Sequence, residues 1–301
     1  MLLLFFLVWT GLCSRTYSES LDKNDTILEA RQIQDDNPCN CYFKDSCGCI
    51  CARPISWTDF QILPQNFRPC RSFTLALRGG QFHSFPGDYF YRVGHVQDFV
   101  LDVGNVYFQY LNDPDSESSP YNGINFDVSA YIRMQGVSVN RRWNWGAMYW
   151  LAPTYSSSYC EIQVVQSTLP LLERDFGRIC QGAVTVVNIR SSGMLLLDDQ
   201  VFAPFYKLTE VDLSSNRIEE MRRSYFSYPA NELEYINLAN NDIRRLPDDI
   251  FYEMPSLQSV DLRGNPILSL STQNFKPTFR TLEIIGLEND STDKIEQEIL
   301  K

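Results

Sequence analysis

Leu208-Thr209-Glu210-Val211-Asp212-Leu213-Ser214-Ser215-Asn216-Arg217-Ile218 recurs as Leu233-Glu234-Tyr235-Ile236-Asn237-Leu238-Ala239-Asn240-Asn241-Asp242-Ile243 and as Leu257-Gln258-Ser259-Val260-Asp261-Leu262-Arg263-Gly264-Asn265-Pro266-Ile267. The starting leucines stand 25 and 24 residues apart, and every apolar position and the asparagine hold their place. Alternating apolar residues, such as Val211 and Leu213, make a short strand with one buried side. The asparagine then turns the chain, and its amide can serve backbone groups that the turn would leave unpaired. One such coil cannot bury its own apolar side, so successive coils must stack.

The spacing L-x-x-L-x-L-x-x-N-x-L is the leucine-rich-repeat pattern. It predicts an α/β repeat fold: a solenoid with short parallel strands on its concave face. Taking the middle strand residue as a marker, weaker copies extend the series in both directions. The markers are Leu75, Leu101, Ile132, Ile162, Val187, Val211, Ile236, Val260 and Leu282, about nine repeats. Phe90, Phe202, Phe226, Phe251 and Phe275 each fall 15 residues after a marker, and Phe176 falls 14 after. Those rings are expected to stack as a buried spine. The coils marked by Leu101 and Ile132 are long and lack that Phe. The first carries a turn-rich insertion from Asn112 to Gly123, and the second carries Trp143, Trp145, Tyr149 and Trp150. These four aromatics either fill the core or form an exposed binding patch. Gly80, Val106, Val137, Ser167 and Ser192 stand where the asparagine belongs, so the front half is a degenerate version of the repeat.

The ends of the chain carry a different signal. Met1 to Cys13 is apolar and too short to cross a bilayer, which fits a signal peptide over 1–18, cut between Cys13 and Ser18. A flexible polar segment over 19–36, a cysteine-rich cap over 37–70, the solenoid over 71–290 and a polar tail over 291–301 complete the division. No membrane insertion is expected after cleavage, and the product is expected to be secreted to the extracellular space.

Removing Cys13 leaves eight cysteines, an even number that suits an oxidising compartment. Cys39, Cys41, Cys47, Cys49, Cys51 and Cys70 cluster in the cap; Cys160 and Cys180 stand apart and are suspected to pair. A zinc site built from the cap thiols with His83 is the competing assignment, and disulfides fit secretion better. Asn24 and Asn289 begin the two N-glycosylation sequons.

Around Pro38-Cys39-Asn40-Cys41, Phe73-Thr74-Leu75-Ala76-Leu77 and Leu246-Pro247-Asp248-Asp249-Ile250-Phe251, the chain resembles secreted arthropod-type leucine-rich-repeat proteins. These include the non-catalytic subunit of the deep-sea shrimp luciferase. The resemblance implies a non-enzymatic extracellular component. Cys47-Gly48-Cys49-Ile50-Cys51 adds cysteines to the cap beyond the shared pattern.

The formal net charge of −11 argues against a nucleic-acid partner, because phosphate binding needs a positive field. Arg78-Gly79-Gly80 lacks the lysine and spacing of a phosphate-cradling loop, and His83 and His95 have no triad partners in context. No catalytic residue, cofactor or metal is therefore assigned. The expected site is the concave face, with an extracellular protein ligand as partner. The residue after each marker reads Ala76, Asp102, Arg133, Gln163, Asn188, Asp212, Asn237, Asp261 and Glu283. Phe99, Tyr131, Arg190, Tyr235 and Arg263 flank this row with aromatic and arginine types that anchor interfaces. On this basis, charge reversal at Asp212 and Asp261 should weaken capture of the ligand without affecting stability. A non-catalytic subunit that stabilises a secreted enzyme is the alternative.

Overall fold

A computed structural model describes residues 39–43, 46–51, 70–85, 93–111, 123–270, 272–275 and 284–286. The expected signal peptide, both sequons, the C-terminal tail, Phe90, Leu282, Glu283 and most of the 112–123 insertion lie outside these residues.

The strands in chain order are β1 (Cys39–Phe43), β2 (Ser46–Cys51), β3 (Ser72–Arg78), β4 (Gln81–Phe82), β5 (His95–Gly104) and β6 (Tyr107–Phe108). They continue as β7 (Ile124–Gln135), β8 (Ser138–Val139), β9 (Leu151–Pro153), β10 (Tyr159–Val165), β11 (Leu171–Leu172) and β12 (Val184–Arg190). The last are β13 (Leu196–Leu197), β14 (Glu210–Asp212), β15 (Tyr235–Asn237), β16 (Ser259–Asp261) and β17 (Ile284–Gly286). One long sheet runs β1-β2-β3-β5-β7-β10-β12-β14-β15-β16-β17, with β9 beside β7. Every pair in it is parallel except the β1–β2 hairpin, as stacked coils require.

Leu75, Leu101, Ile132, Ile162, Val187, Val211, Ile236 and Val260 share one row of this sheet. Each is buried to within 2 % of its surface. The row ends at Ile285, not Leu282. Leu282-Glu283-Ile284-Ile285-Gly286-Leu287 shows why: Leu282 opens the pattern and Ile285 holds the mid-strand position, exactly as far apart as Leu257 and Val260 are in the preceding coil.

Three return segments carry short 3-10 helices, Trp145–Met148, Arg174–Arg178 and Arg223–Tyr225; those at 198–207 and 247–256 are turns, and among the described residues the one α-helix spans Thr272–Phe275. Ring packing follows the coils: Phe176 meets Phe202 and Phe205, Phe202 meets Phe226, and Phe251 stacks on Phe275 at 5.3 Å. Trp145 supplies the ring where the Ile132 coil has no Phe, edge-on to Phe176 at 5.0 Å. It is fully buried, Trp143 is nearly so, and Trp150 packs against Phe85 and Phe99. The tryptophan insertion is thus core.

Turn chemistry separates the two halves. Asn241 donates to the Leu213 and Leu238 carbonyls at 3.0 and 2.9 Å and accepts from the Ile218 N–H at 3.0 Å. Asn216 and Asn265 repeat the arrangement. Upstream, the shorter Ser192 donates to Val164 and Arg190 and accepts from the Ser167 N–H; Ser167 in turn accepts from the Val137 N–H. Where Gly80, Val106 and Val137 offer no polar side chain, the backbone satisfies itself. Tyr107, Ser138 and Thr168 donate to the Gly80, Val106 and Val137 carbonyls, and β4, β6 and β8 form a second parallel sheet. A buried amide must find a partner, and here a ladder replaces the side chain.

The cap joins the same sheet, since β2 pairs with β3 in parallel. Cys41–Cys49 and Cys47–Cys70 are disulfides, Cys51 is also disulfide-bonded, and Cys39 is in register with Cys51 across the hairpin. Cys160–Cys180 forms a further bridge deep in the solenoid, both residues fully buried.

Candidate protein-binding face

Side chains alternate across each strand, so residues one and three positions from a marker point away from the core. The burial of β10 shows it: Cys160, Ile162 and Val164 are buried, while Tyr159, Glu161, Gln163 and Val165 are partly exposed. Asp102, Arg133, Gln163, Asn188, Asp212, Asn237 and Asp261 fall in one outward row by register. Gly286 completes that row in place of Glu283. Ala76 belongs to it too, and both Ala76 and Asp212 are buried. Tyr131 and Tyr235 lie in the adjoining row, with Tyr235 47 % exposed, and Arg190 and Arg263 lie on the far side.

Phe99 is not on the face. Two residues from Leu101, it shares that marker's inward side, is fully buried and stacks on Phe73.

The carboxylates do not form a bare acidic ladder. Arg78 grips Asp102 with both terminal guanidinium nitrogens, Arg263 Nε reaches Asp261 at 2.9 Å, and Arg190 stands 3.8 Å from Asp212. The pairing raises Arg78 above the usual guanidinium range, its hydrogen bond to Asp102 being the main cause. Three of the row also hold the strand end in shape. Asp212, Asn237 and Asp261 accept from the backbone N–H of Ser214, Ala239 and Arg263 at 2.9, 3.0 and 3.0 Å. Charge reversal at Asp212 or Asp261 would remove those acceptors, so it would perturb the fold along with any docking. The expectation that such changes leave stability untouched does not survive this geometry.

Sequence reasoning missed several neighbours. Glu161 and Glu210 sit one residue before a marker, beside Tyr131 and Tyr235 in the same row, and strict alternation would have found them. Burial pushes the Glu210 carboxyl above the usual carboxylate range; Asp212 and Glu161 add to the rise and Arg190 opposes it. Tyr159 was hidden because β10 is longer than the three-residue strands of the strict repeats. Its hydroxyl meets that of Tyr131 at 2.6 Å, and Arg133 lies over the Tyr131 ring.

The two histidines lie apart from this patch. His83 Nδ1 is 3.0 Å from Gln109 Oε1, and His95 Nε2 is 3.2 Å from Asp127 at one end of the face. Among the described residues, no group of three or more His, Cys, Asp or Glu side chains is placed to hold a metal ion. No helix there is long and apolar enough to cross a membrane.

With the coils, their asparagines and the outward rows in place, the family profile described as Leucine rich repeat matches residues 206–267. Residues 206–267 are leucine-rich repeats. No curated protein matches the chain. Among solved structures, the Toll–Spätzle complex of Drosophila is similar at 13% identity and a TM-score of 0.28, covering 84% of this chain and 45% of that one. A leucine-rich-repeat protein of Leptospira interrogans is similar at 14% identity and a TM-score of 0.33, covering 71% and 60%. The chain therefore spans less than two thirds of either structure's length. The profile match covers the coils with the strict asparagine. The upstream leucine-rich register rests on the strand pairing described above.

Proposed function

We propose that this chain is an extracellular, non-enzymatic leucine-rich-repeat protein that binds another protein through the concave face of its long sheet. Its main support is the continuous outward surface of β5 to β16, where polar, arginine and tyrosine side chains stand in register on a rigid ladder. Such a surface holds its side chains in place before a partner arrives, which lowers the cost of association. Tyrosine and arginine are the residue types that most often anchor interfaces. The disulfides suit an oxidising compartment, and the apolar N-terminal segment supplies the route to it.

The test uses a benzophenone photocrosslinker in place of Gln163, on the face, or Leu196, 63 % exposed on β13 outside the long sheet. With native extracellular fluid, the Gln163 position should capture a defined protein and the Leu196 position should not. Equal capture from both would overturn the concave-face assignment. A single enzyme recovered in stoichiometric amount would favour the alternative role as a stabilising subunit.

A further inference from the structure

Among the described residues, the outward face carries its densest excess of carboxylates over arginines across β10, β12 and β14. Toward one end, Asp102 is neutralised by Arg78, Asp98 accepts from the Ser129 hydroxyl, and Arg133 lies on Tyr131. Toward the other, Asp261 is neutralised by Arg263. In the middle stand Glu161, Glu210 and Asp212 with Arg190 alone opposite them, and Arg190 is paired to Asp212. Glu161 and Glu210 have no ion-pair partner among the described residues; Glu161 takes a hydrogen bond from Gln163.

A second observation at the same place does not depend on charge. Asn188 lies between Gln163 and Asp212 in register, and its side-chain oxygen is buried and accepts no hydrogen bond. A buried acceptor left unmet is costly to the fold. The patch therefore holds three acceptor groups short of donors. Beside Glu210 in register stands the ring of Tyr235, about half exposed.

We infer that the middle of this face receives an arginine from a protein partner, its guanidinium set against Glu161 and Glu210 with its plane over Tyr235. This rests on the concave-face function proposed above and specifies the partner's chemistry. A guanidinium brings five N–H donors in a planar fork and stacks on aromatic rings, whereas an ammonium serves a carboxylate as a point charge and stacks poorly. Arginine thus matches two carboxylates, a lone acceptor and a ring better than lysine does. The partner segment would be a loop or turn, because the site is a local centre whose flanking carboxylates Asp102 and Asp261 are each already paired with an arginine of the chain. The Glu210 carboxyl, lifted by burial and its acidic neighbours, is the group such a cation would relieve.

The probe is a displayed library of disulfide-cyclised peptides selected against the full chain. Gln163 carries a photocrosslinker to report where each selected peptide sits. Peptides that crosslink at Gln163 are expected to contain arginine. Their affinity should fall at least tenfold when that arginine becomes citrulline, and severalfold when it becomes lysine. The same loss is expected on the protein side from Glu161→Gln with Glu210→Gln, and from Tyr235→Ala. Glu219→Gln with Glu220→Gln, both exposed and off the long sheet, should leave affinity unchanged. Glutamine keeps the shape and removes charge, and a melting curve confirms that each variant folds. Peptides that crosslink at Gln163 but lack arginine, or that tolerate the Glu161/Glu210 double variant, would overturn the arginine assignment and leave the concave face standing. If no selected peptide crosslinks there, both fail.

Discussion

Asn241 shows how much one residue carries in this fold. Asn241→Ala strands the Ile218 N–H in a buried turn and takes one of two side-chain donors from each of the Leu213 and Leu238 carbonyls, which keep those of Asn216 and Asn265. At roughly 1–3 kcal/mol per unmet buried group, the loss should reach about 3 kcal/mol, partly offset by relaxation. Ser192→Ala removes a smaller hydroxyl whose partners lie nearer the strand, and should cost about 1 kcal/mol. Urea denaturation midpoints rank the two, and a reversed order would mean the asparagine ladder is not the main support of these turns. The acids of the outward row obey the same logic. Asp212→Asn keeps an acceptor for the Ser214 N–H and should melt near the parent temperature. Asp212→Lys loses it and places a cation beside Arg190, so its melting temperature should fall by several degrees. Equal melting of the two would show the backbone contact to be dispensable. The asparagines were legible as a period in the sequence, but the double duty of Asp212 was not. A carboxylate on an outward row looks the same in sequence whether it awaits a partner or already holds its own chain.

At the scale of an element, the ring spine decides which coils are interchangeable. Trp145→Ala would empty a fully buried site against Phe176 and should cost about 4 kcal/mol. Trp145→Phe should cost far less. It restores the ring type of the neighbouring coils and removes an indole N–H that is buried without an acceptor. Thermal unfolding distinguishes the two; similar losses from both would show that Trp145 needs its full volume. The sequence pointed at this coil only by the missing Phe at the usual offset. Its replacement sits on a 3-10 turn, Trp145–Met148, whose Trp145 N–H is held by Asp175 of the next coil. That contact links residues 30 apart and has no local signature. The Cys160–Cys180 bridge ties β10 to the segment before β12 and spans 20 residues. Replacing both cysteines by alanine should cost about 3 kcal/mol in the chain-entropy picture, read as a lower denaturation midpoint. An unchanged midpoint would mean the buried packing around the bridge suffices.

For the molecule as a whole, acidity has a definite sign. Burial lifts both Asp175 and Glu210 above the ordinary carboxylate range, and neither ionises as freely folded as unfolded. Each therefore favours the folded state once protonated: the gain is complete below the unfolded pKa and disappears as pH rises through the folded one. Melting temperature should rise as pH is lowered from neutral toward the carboxylate range and these raised groups protonate. Glu210→Gln should raise the value at pH 7 and flatten the slope; a steeper slope would overturn the assignment. What the sequence by itself determined was the solenoid. A period near 25 residues, with apolar positions fixed relative to a turn residue, leaves stacking as the way to bury each coil. It placed eight of the nine mid-strand residues, Leu75 to Val260, and erred at the last by three, where two apolar residues could each hold the position. The tertiary structure alone decided which outward groups are already paired. Arg78 and Asp102 lie 24 residues apart, and Glu161 and Glu210 farther still. Only the stacking of coils, some 4.8 Å from strand to strand, brings such groups within reach of one another. Charge balance on a solenoid face is set between coils, and the pattern within one coil is silent about its neighbours.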